Sequence, residues 1–195
     1  MKKSNQWFRL DNAAKIFPPT CSKRDTKVFR FVCELKEPVD QTILQHALDK
    51  TVEVFPLYRS VLKKGIFWYY LEESDIKPQV SEENIPACAP LYDSYNHKLL
   101  FRVSYYKKRI NLEVFHSLSD GTGAIQFLKT MVYYYLEERH NIKIMTSNDF
   151  TSLSQKNADA FSKYYDKSEI IKKHVYKKAH IIKGERIPKN NVSII

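Results

Sequence analysis

The chain has 195 residues, of which 43% are hydrophobic and 28% charged, and this composition excludes a largely disordered protein. Only four residues are glycine, which excludes collagen-like and glycine-rich linker architectures. The length predicts one large domain or two small ones. The 32 lysines and arginines outnumber the 22 acidic residues, so nucleic acid, anionic lipid and phosphorylated cofactors are all candidate partners.

The cysteines and the apolar segments indicate the cellular compartment in which the protein is expected. Cys21, Cys33 and Cys88 form no C-x-x-C pair, and an odd number of cysteines is typical of free thiols in a reducing compartment. No apolar segment follows the basic start of the chain, and no run approaches the roughly 18 apolar residues of a membrane-spanning helix. We therefore expect a cytoplasmic protein without a signal peptide, a membrane span or a metal site.

The first predicted elements are a short helix and a strand. The helix covers residues 10–16, begins at Asp11 or Asn12 and is ended by Pro18 and Pro19. Side-chain character then alternates over 27–36. This alternation predicts a strand with one face more buried than the other.

A longer helix and a hairpin follow. Apolar residues recur at helical spacing over 40–55, with Asp40 as N-cap and Pro56 as terminator. The β-prone runs 58–63 and 66–72 flank a turn that contains glycine. This arrangement predicts a β-hairpin.

The next segment contains a loop, a second hairpin and the longest helix. Prolines spread over 74–96 predict a loop. The runs 99–106 and 110–115 surround a short polar turn and predict the second hairpin. An apolar stripe over 120–140 predicts a long amphipathic helix.

The domain prediction follows from this order. Helices interleaved with hairpin strands predict a mixed α/β protein, a two-layer sandwich with a largely antiparallel or mixed sheet. Residues 1–145 are expected to form one lobe, followed by a polar linker over 146–159. Residues 160–195 predict a basic helix, a strand-like run and an apolar end, which we expect to begin a crossover into a further lobe.

One constellation is suited to chemistry, the pattern H-x-x-x-D-G between a strand and a helix. His116 ends the strand, where its imidazole can accept a proton at neutral pH. Asp120 is suited to cap the helix or to pair with an arginine, and Gly121 to allow a backbone conformation or close approach that a Cβ would block. Thr122 and Gly123 lie where free helix N–H groups meet an anion.

A structural interpretation of the same residues stays open. His116 can be a core histidine whose ring nitrogens are hydrogen-bonded within the fold, and Asp120 can serve only as the N-cap of the helix. The complete pattern at a strand–helix junction favours the functional interpretation over this one. The other histidines have no metal-ligand spacing. The lysines at the C-terminal end are typical of a solvated face, and contact with CoA phosphates or with an acidic protein is the alternative.

The segment VFHSLSDGTGA resembles the H-x-x-x-D-G motif of the CoA-dependent acyltransferase superfamily, which includes chloramphenicol acetyltransferase and the condensation domains of nonribosomal peptide synthetases. The segments LDNAAKIFPP, FRFVCELKEPVD, ILQHALDKTVEVFP, GIFWYYLE and LLFRVSYYKKRINLEVFHSLSDGTGAIQFLKTMVYYYL are similar to a bacterial subgroup labelled alcohol acetyltransferase. Nearly the whole chain is covered, in the order expected of the N-terminal half.

The resemblance implies a chloramphenicol acetyltransferase-like fold and a mechanism. His116 would be the general base that deprotonates an alcohol or amine as it attacks an acyl thioester, with acyl-CoA or acetyl-CoA as co-substrate and no bound cofactor. Asp120 would be structural and pair with an arginine, and Gly121 would keep the channel open. The substrate tunnel would run between two lobes.

Two departures from the family pattern leave alternatives open. Many members have two consecutive histidines, whereas Phe115 precedes His116 here. We find no segment of the second lobe, so the chain is expected to need that lobe or self-association to complete the tunnel. A noncatalytic remnant or protein-interaction module of the same fold is the alternative function. Nucleic-acid binding through the positive charge is a third hypothesis, which the lack of a nucleic-acid motif disfavours.

Overall fold

The computed structural model describes residues 7–93 and 97–143. The chain divides into two compact units, residues 1–164 and 165–195, and all described residues belong to the first unit. The predicted linker, basic helix and crossover therefore lie outside the described residues.

The strands of two sheets alternate along the chain, with helices between them. The elements are β1 (Trp7–Arg9), α1 (Phe17–Thr20), β2 (Val28–Glu34), α2 (Gln41–Val54), β3 (Ser60–Lys64), β4 (Tyr69–Glu73), β5 (Ser81–Glu82), β6 (Phe101–Tyr106), β7 (Arg109–Phe115) and α3 (Gly121–His140). Two 3₁₀ turns cover Ala14–Ile16 and Pro56–Arg59.

The sheets confirm the predicted mixed α/β class. The strands of the smaller sheet have the order β1-β4-β3 and are antiparallel throughout. The larger sheet has the order β2-β7-β6-β5, in which the short strand β5 runs parallel to β6. Both predicted hairpins are present, as β3-β4 and β6-β7.

The two long helices begin where local capping predicts. Asp40 accepts hydrogen bonds from the backbone N–H groups of Thr42 and Ile43 at the start of α2.

The ring of Phe127 on α3 lies 5.4 Å from that of Phe101 on β6 and 4.0 Å from that of Tyr58. This aromatic packing holds helix α3 against the larger sheet, because rings of this size bury a large apolar area.

Three local predictions are wrong. The helix predicted over 10–16 is a 3₁₀ turn at Ala14–Ile16, and α1 continues through both prolines. Proline is tolerated there because the first turn of a helix leaves its N–H groups unbonded. Tyr58 belongs to a 3₁₀ turn rather than to a strand, and the predicted loop over 74–96 contains β5. Strand β1 was not predicted.

Candidate active site

His116 lies directly after β7, where the chain leaves the sheet. Its backbone N–H donates to the carbonyl of Lys27 at 2.9 Å, which extends the pairing with β2 by one residue. The N–H of Leu118 donates to the carbonyl of Phe115 at 2.9 Å, so the chain turns at once. The imidazole is therefore attached to a backbone position that the sheet holds on one side and a tight turn on the other.

Two phenylalanine rings hold the imidazole. Phe17 of α1 stacks on it with centroids 4.6 Å apart and planes 16° apart, and Phe29 of β2 lies 4.5 Å away at 45°. The contact with Phe29 follows from register, because Phe29 pairs with Val114 and residues two apart share a face of a strand. The half-buried ring thus has one orientation set from two sides.

This environment keeps the imidazole neutral. Burial lowers the pKa of His116 below its ordinary value of 6.5; the carboxylate of Asp120 opposes that shift and the ammonium of Lys27 adds to it. The charged form of a histidine is disfavoured away from water unless a partner compensates. At neutral pH the ring is therefore unprotonated and able to accept a proton.

Asp120 caps helix α3. Its Oδ1 accepts a hydrogen bond from the N–H of Gly123 at 2.8 Å, and its carbonyl accepts from the N–H of Ala124 at 3.0 Å. The carboxylate is exposed, and no arginine pairs with it within 7–93 and 97–143. The expectation that the Gly123 N–H is free for an anion is wrong, because Asp120 already binds it. The pairing with an arginine stays a prediction.

The two glycines differ in how tightly they are packed. A Cβ on Gly121 would meet only the Cζ of Phe31 at 3.8 Å, an ordinary contact, whereas one on Gly123 would come within 2.3 Å of Ser119 Oγ. Neither glycine has a positive φ. Among the described residues, neither a positive φ nor a close neighbour excludes a Cβ at Gly121, and the tight contact is at Gly123 instead. That Gly121 allows close approach of a substrate stays a prediction.

A buried serine joins the motif to the segment before α1. Ser117 Oγ donates to the carbonyl of Ala14 at 3.0 Å, and the N–H of Ala14 donates to Asp11 Oδ1 at 2.6 Å. This chain of contacts places Phe17 against His116. The hydrogen bond between Ser117 and Ala14 was not predicted, because these two residues are far apart in the chain.

A buried carboxylate on β7 holds three segments together behind the motif. Glu113, which is 1% exposed, accepts from Arg30 Nε at 2.9 Å, from Arg102 Nε at 2.9 Å and from the N–H of Cys88 at 2.6 Å. Arg30 also pairs with Glu83. Burial alone would raise the pKa of Glu113, but the Cys88 N–H and the two guanidinium groups outweigh it and lower the pKa. This network was not predicted either.

The described residues hold no group of histidine, cysteine and acidic side chains that could bind a metal ion. No helix among them is both long and apolar enough to cross a membrane.

In sequence comparisons, no family profile and no curated protein matches the chain. Solved structures do. The starter condensation domain of rhizomide synthetase RzmA matches with a TM-score of 0.56 and 11% identity, over 81% of this chain and 46% of that one. The first condensation domain of the calcium-dependent antibiotic synthetase, in complex with a substrate analogue, matches with a TM-score of 0.56 and 15% identity, over 74% and 42% of the two chains.

A third similar structure is the X-domain from teicoplanin biosynthesis, in complex with OxyB, with a TM-score of 0.53, 12% identity and coverage of 78% and 38%. Another structure of the RzmA domain, a mutant, contains C8-CoA. The chain spans less than half the length of these proteins. At such low identity the similarity establishes the fold: this is the chloramphenicol acetyltransferase-like fold of condensation domains.

Proposed function

We propose that the chain is the N-terminal half of an acyltransferase that moves an acyl group from acyl-CoA, or another acyl thioester, to an alcohol acceptor. One observation carries this proposal: a neutral imidazole, His116, is clamped between two rings at the end of a strand in a condensation-domain fold. The C8-CoA held by one similar structure supports a thioester of CoA as the donor. Acetyl transfer, as in alcohol acetyltransferases, is the finer form of the proposal.

The proposed step needs one base. The imidazole nitrogen of His116 removes the hydroxyl proton as the acceptor oxygen attacks the thioester carbonyl carbon. The C–O bond forms, the tetrahedral intermediate collapses and the C–S bond breaks. The leaving thiolate takes the proton back from the imidazolium, so the histidine is regenerated. General-base assistance of this kind accounts for about 10²- to 10⁴-fold in rate.

Asp120 and Gly121 support the base in this proposal. The cap that Asp120 forms on α3 fixes the turn that follows His116. The space around Gly121, where a Cβ would meet only Phe31, leaves room for the acceptor. The opposite wall of the tunnel would come from a second lobe or from a second copy of the chain, since the similar structures are more than twice as long as the aligned part.

The test is thioester turnover in the full-length natural protein that contains this chain. CoA thiol release from acetyl-CoA and longer acyl-CoAs is followed with a thiol reagent and a panel of alcohols. We expect His116→Ala to lower kcat/KM by about 10²- to 10⁴-fold. His140→Ala, which removes an exposed histidine at the far end of α3, is the matched control and should leave the rate unchanged. Full activity in His116→Ala would refute the proposal.

A noncatalytic interaction module is the second candidate. The observation in its favour is that one similar structure, the X-domain, is found in a complex with another protein. Under this hypothesis the natural protein releases no thiol above the uncatalysed rate, and His116→Ala binds its partner as the wild type does. Turnover that depends on His116 would exclude it.

A further inference from the structure

The hairpin between β3 and β4 ends in three large apolar residues that are largely exposed to solvent. Ile66 is 92% exposed, Phe67 84% and Trp68 63%. The turn itself is well formed, since the N–H of Gly65 donates to the carbonyl of Trp68 at 2.8 Å. Polar residues and glycine are the usual choice at such turns, and exposed apolar patches mark interaction sites. We call residues 66–68 the apolar tip.

A groove beside the apolar tip combines aromatic rings with cations. Trp7, the exposed first residue of β1, lines it together with Trp68. The remaining lining residues are Arg9, Lys15, Tyr69 and Tyr70, and the groove has a volume of about 410 Å³. Rings with an apolar body and a polar edge are favoured where an apolar phase meets water. The same groove therefore offers both interfacial aromatics and positive charge.

The cations around the tip are largely uncompensated. Lys63 is paired with Glu72 at 3.2 Å. By contrast, Arg9 and Lys15 form no ion pair within the described part of the chain, and Lys64 lies over the ring of Tyr69 at 6.0 Å. Long basic side chains of this kind bury their stems against apolar surface and keep the charge at its edge. The surface thus has an apolar centre with the basic side chains of Arg9, Lys15 and Lys64 at its edge, while the acidic Glu72 beside Trp7 is paired with Lys63.

We propose that this face binds an anionic lipid bilayer, with the apolar tip in the interface and Arg9, Lys15 and Lys64 against lipid phosphates. Charge complementarity identifies the occupant, because a positive rim around an apolar protrusion matches a negative headgroup layer over hydrocarbon. The proposal is independent of the acyl-transfer reaction and would bring the protein to a surface where apolar alcohols and long acyl chains accumulate.

The two tryptophans of the chain, Trp7 and Trp68, are both at this face, so intrinsic fluorescence reports on it directly. The full chain is mixed with phosphatidylcholine vesicles, with and without one-third phosphatidylserine. We expect co-sedimentation and a blue shift of tryptophan emission with the anionic vesicles, and weakening of both in high salt. Absence of binding to anionic vesicles, or equal binding to neutral ones, would overturn the proposal.

Variants locate the contact. Ile66→Ser with Phe67→Ser keeps both tryptophans and should weaken vesicle binding at least tenfold. Val32→Ser with Ile125→Ser removes two exposed apolar side chains elsewhere and is the matched control, expected to bind as the wild type does. Arg9→Gln with Lys15→Gln should lose about fivefold per cation.

The remaining outcomes are also decisive. Circular dichroism checks that each variant is folded, and the tip substitutions should not alter it because these side chains make few contacts. Sedimentation without lipid tests whether a second copy covers the tip instead. A dimer that Ile66→Ser with Phe67→Ser abolishes, together with unchanged vesicle binding, would overturn the proposal in favour of self-association.

Discussion

Replacing Glu113 by alanine should destabilise the larger sheet strongly. The carboxylate is the shared acceptor for Arg30 on β2, Arg102 on β6 and the backbone of Cys88 in the preceding loop. Its removal leaves the partly buried N–H of Cys88 unpaired and takes from Arg102 its ion-pair partner. Arg30 keeps Glu83 and is therefore partly compensated.

The magnitude follows from this asymmetry. Removing one member of a buried ion pair costs about 3–5 kcal/mol, because an uncompensated charge stays behind. Since Arg30 keeps a partner, we expect the lower end, about 3 kcal/mol. Small domains have about 5–15 kcal/mol of total stability, so the variant should still fold but with a much smaller margin.

Urea unfolding followed by circular dichroism measures the effect. With a slope of about 2 kcal/mol per molar urea, a loss of about 3 kcal/mol lowers the midpoint by about 1.5 M. Glu82→Ala, on the exposed strand β5 of the same sheet, is the matched control and should change stability by less than about 0.5 kcal/mol. Glu113→Gln keeps an acceptor oxygen and should fall between the two. A midpoint for Glu113→Ala equal to that of Glu82→Ala would refute the argument.

The pH dependence of Glu113 has a defined sign. Its pKa is lower in the folded protein than in the unfolded chain, so the folded state favours the ionised form. The ionised carboxylate of Glu113 therefore stabilises the folded protein fully above the unfolded pKa of about 4.3. This stabilisation is lost as the pH falls through the pKa of the folded protein. The stability difference between the wild type and Glu113→Gln should therefore shrink below about pH 4, and a difference that is constant down to pH 2 would contradict it.

Other predictions concern the motif itself. Because burial lowers the pKa of His116, the acidic limb in the pH profile of kcat/KM for the full-length protein should be centred below pH 6.5; a limb centred above 6.5 would contradict this. Asp120→Ala should cost about 1 kcal/mol in urea unfolding through the lost cap, and Asp120→Asn much less; equal losses would argue against capping. Gly121→Ala should leave the unfolding midpoint nearly unchanged, whereas Gly123→Ala should be less stable than Gly121→Ala by about 1 kcal/mol or less, because the Ser119 hydroxyl group has to rotate away from the new Cβ. Adding Ser119→Ala to Gly123→Ala should restore the midpoint, and failure to restore it would show that the clash lies elsewhere.

The predictable parts of this fold are those set by neighbours in the chain. The caps at Asp40 and Asp120 are confirmed because a capping side chain bonds N–H groups only two or three residues away. The hairpins are confirmed because β-prone runs around a short turn pair with each other. The strand β1 escaped prediction because three residues give too short a pattern, and its pairing with β4 joins distant positions.

The candidate site divides in the same way. His116 at a strand–helix junction, followed by a capping aspartate, follows from spacing and composition alone. The partners that set its properties do not: Phe17 stacks on the ring from α1, and Phe29 reaches it through the register of β2 with β7. Its neutral state depends on that burial, which a local pattern cannot show.

The sequence by itself determined the order of the elements, the helix starts and the position of the histidine, since hydrophobic period and capping act over a few residues. Only the tertiary structure decided that two rings clamp His116, that Glu113 is buried between two arginines, and that Gly123 rather than Gly121 is tightly packed. The physical reason is that strand register and helix packing bring together residues far apart in the chain, and these long-range contacts determine burial, charge pairing and free space.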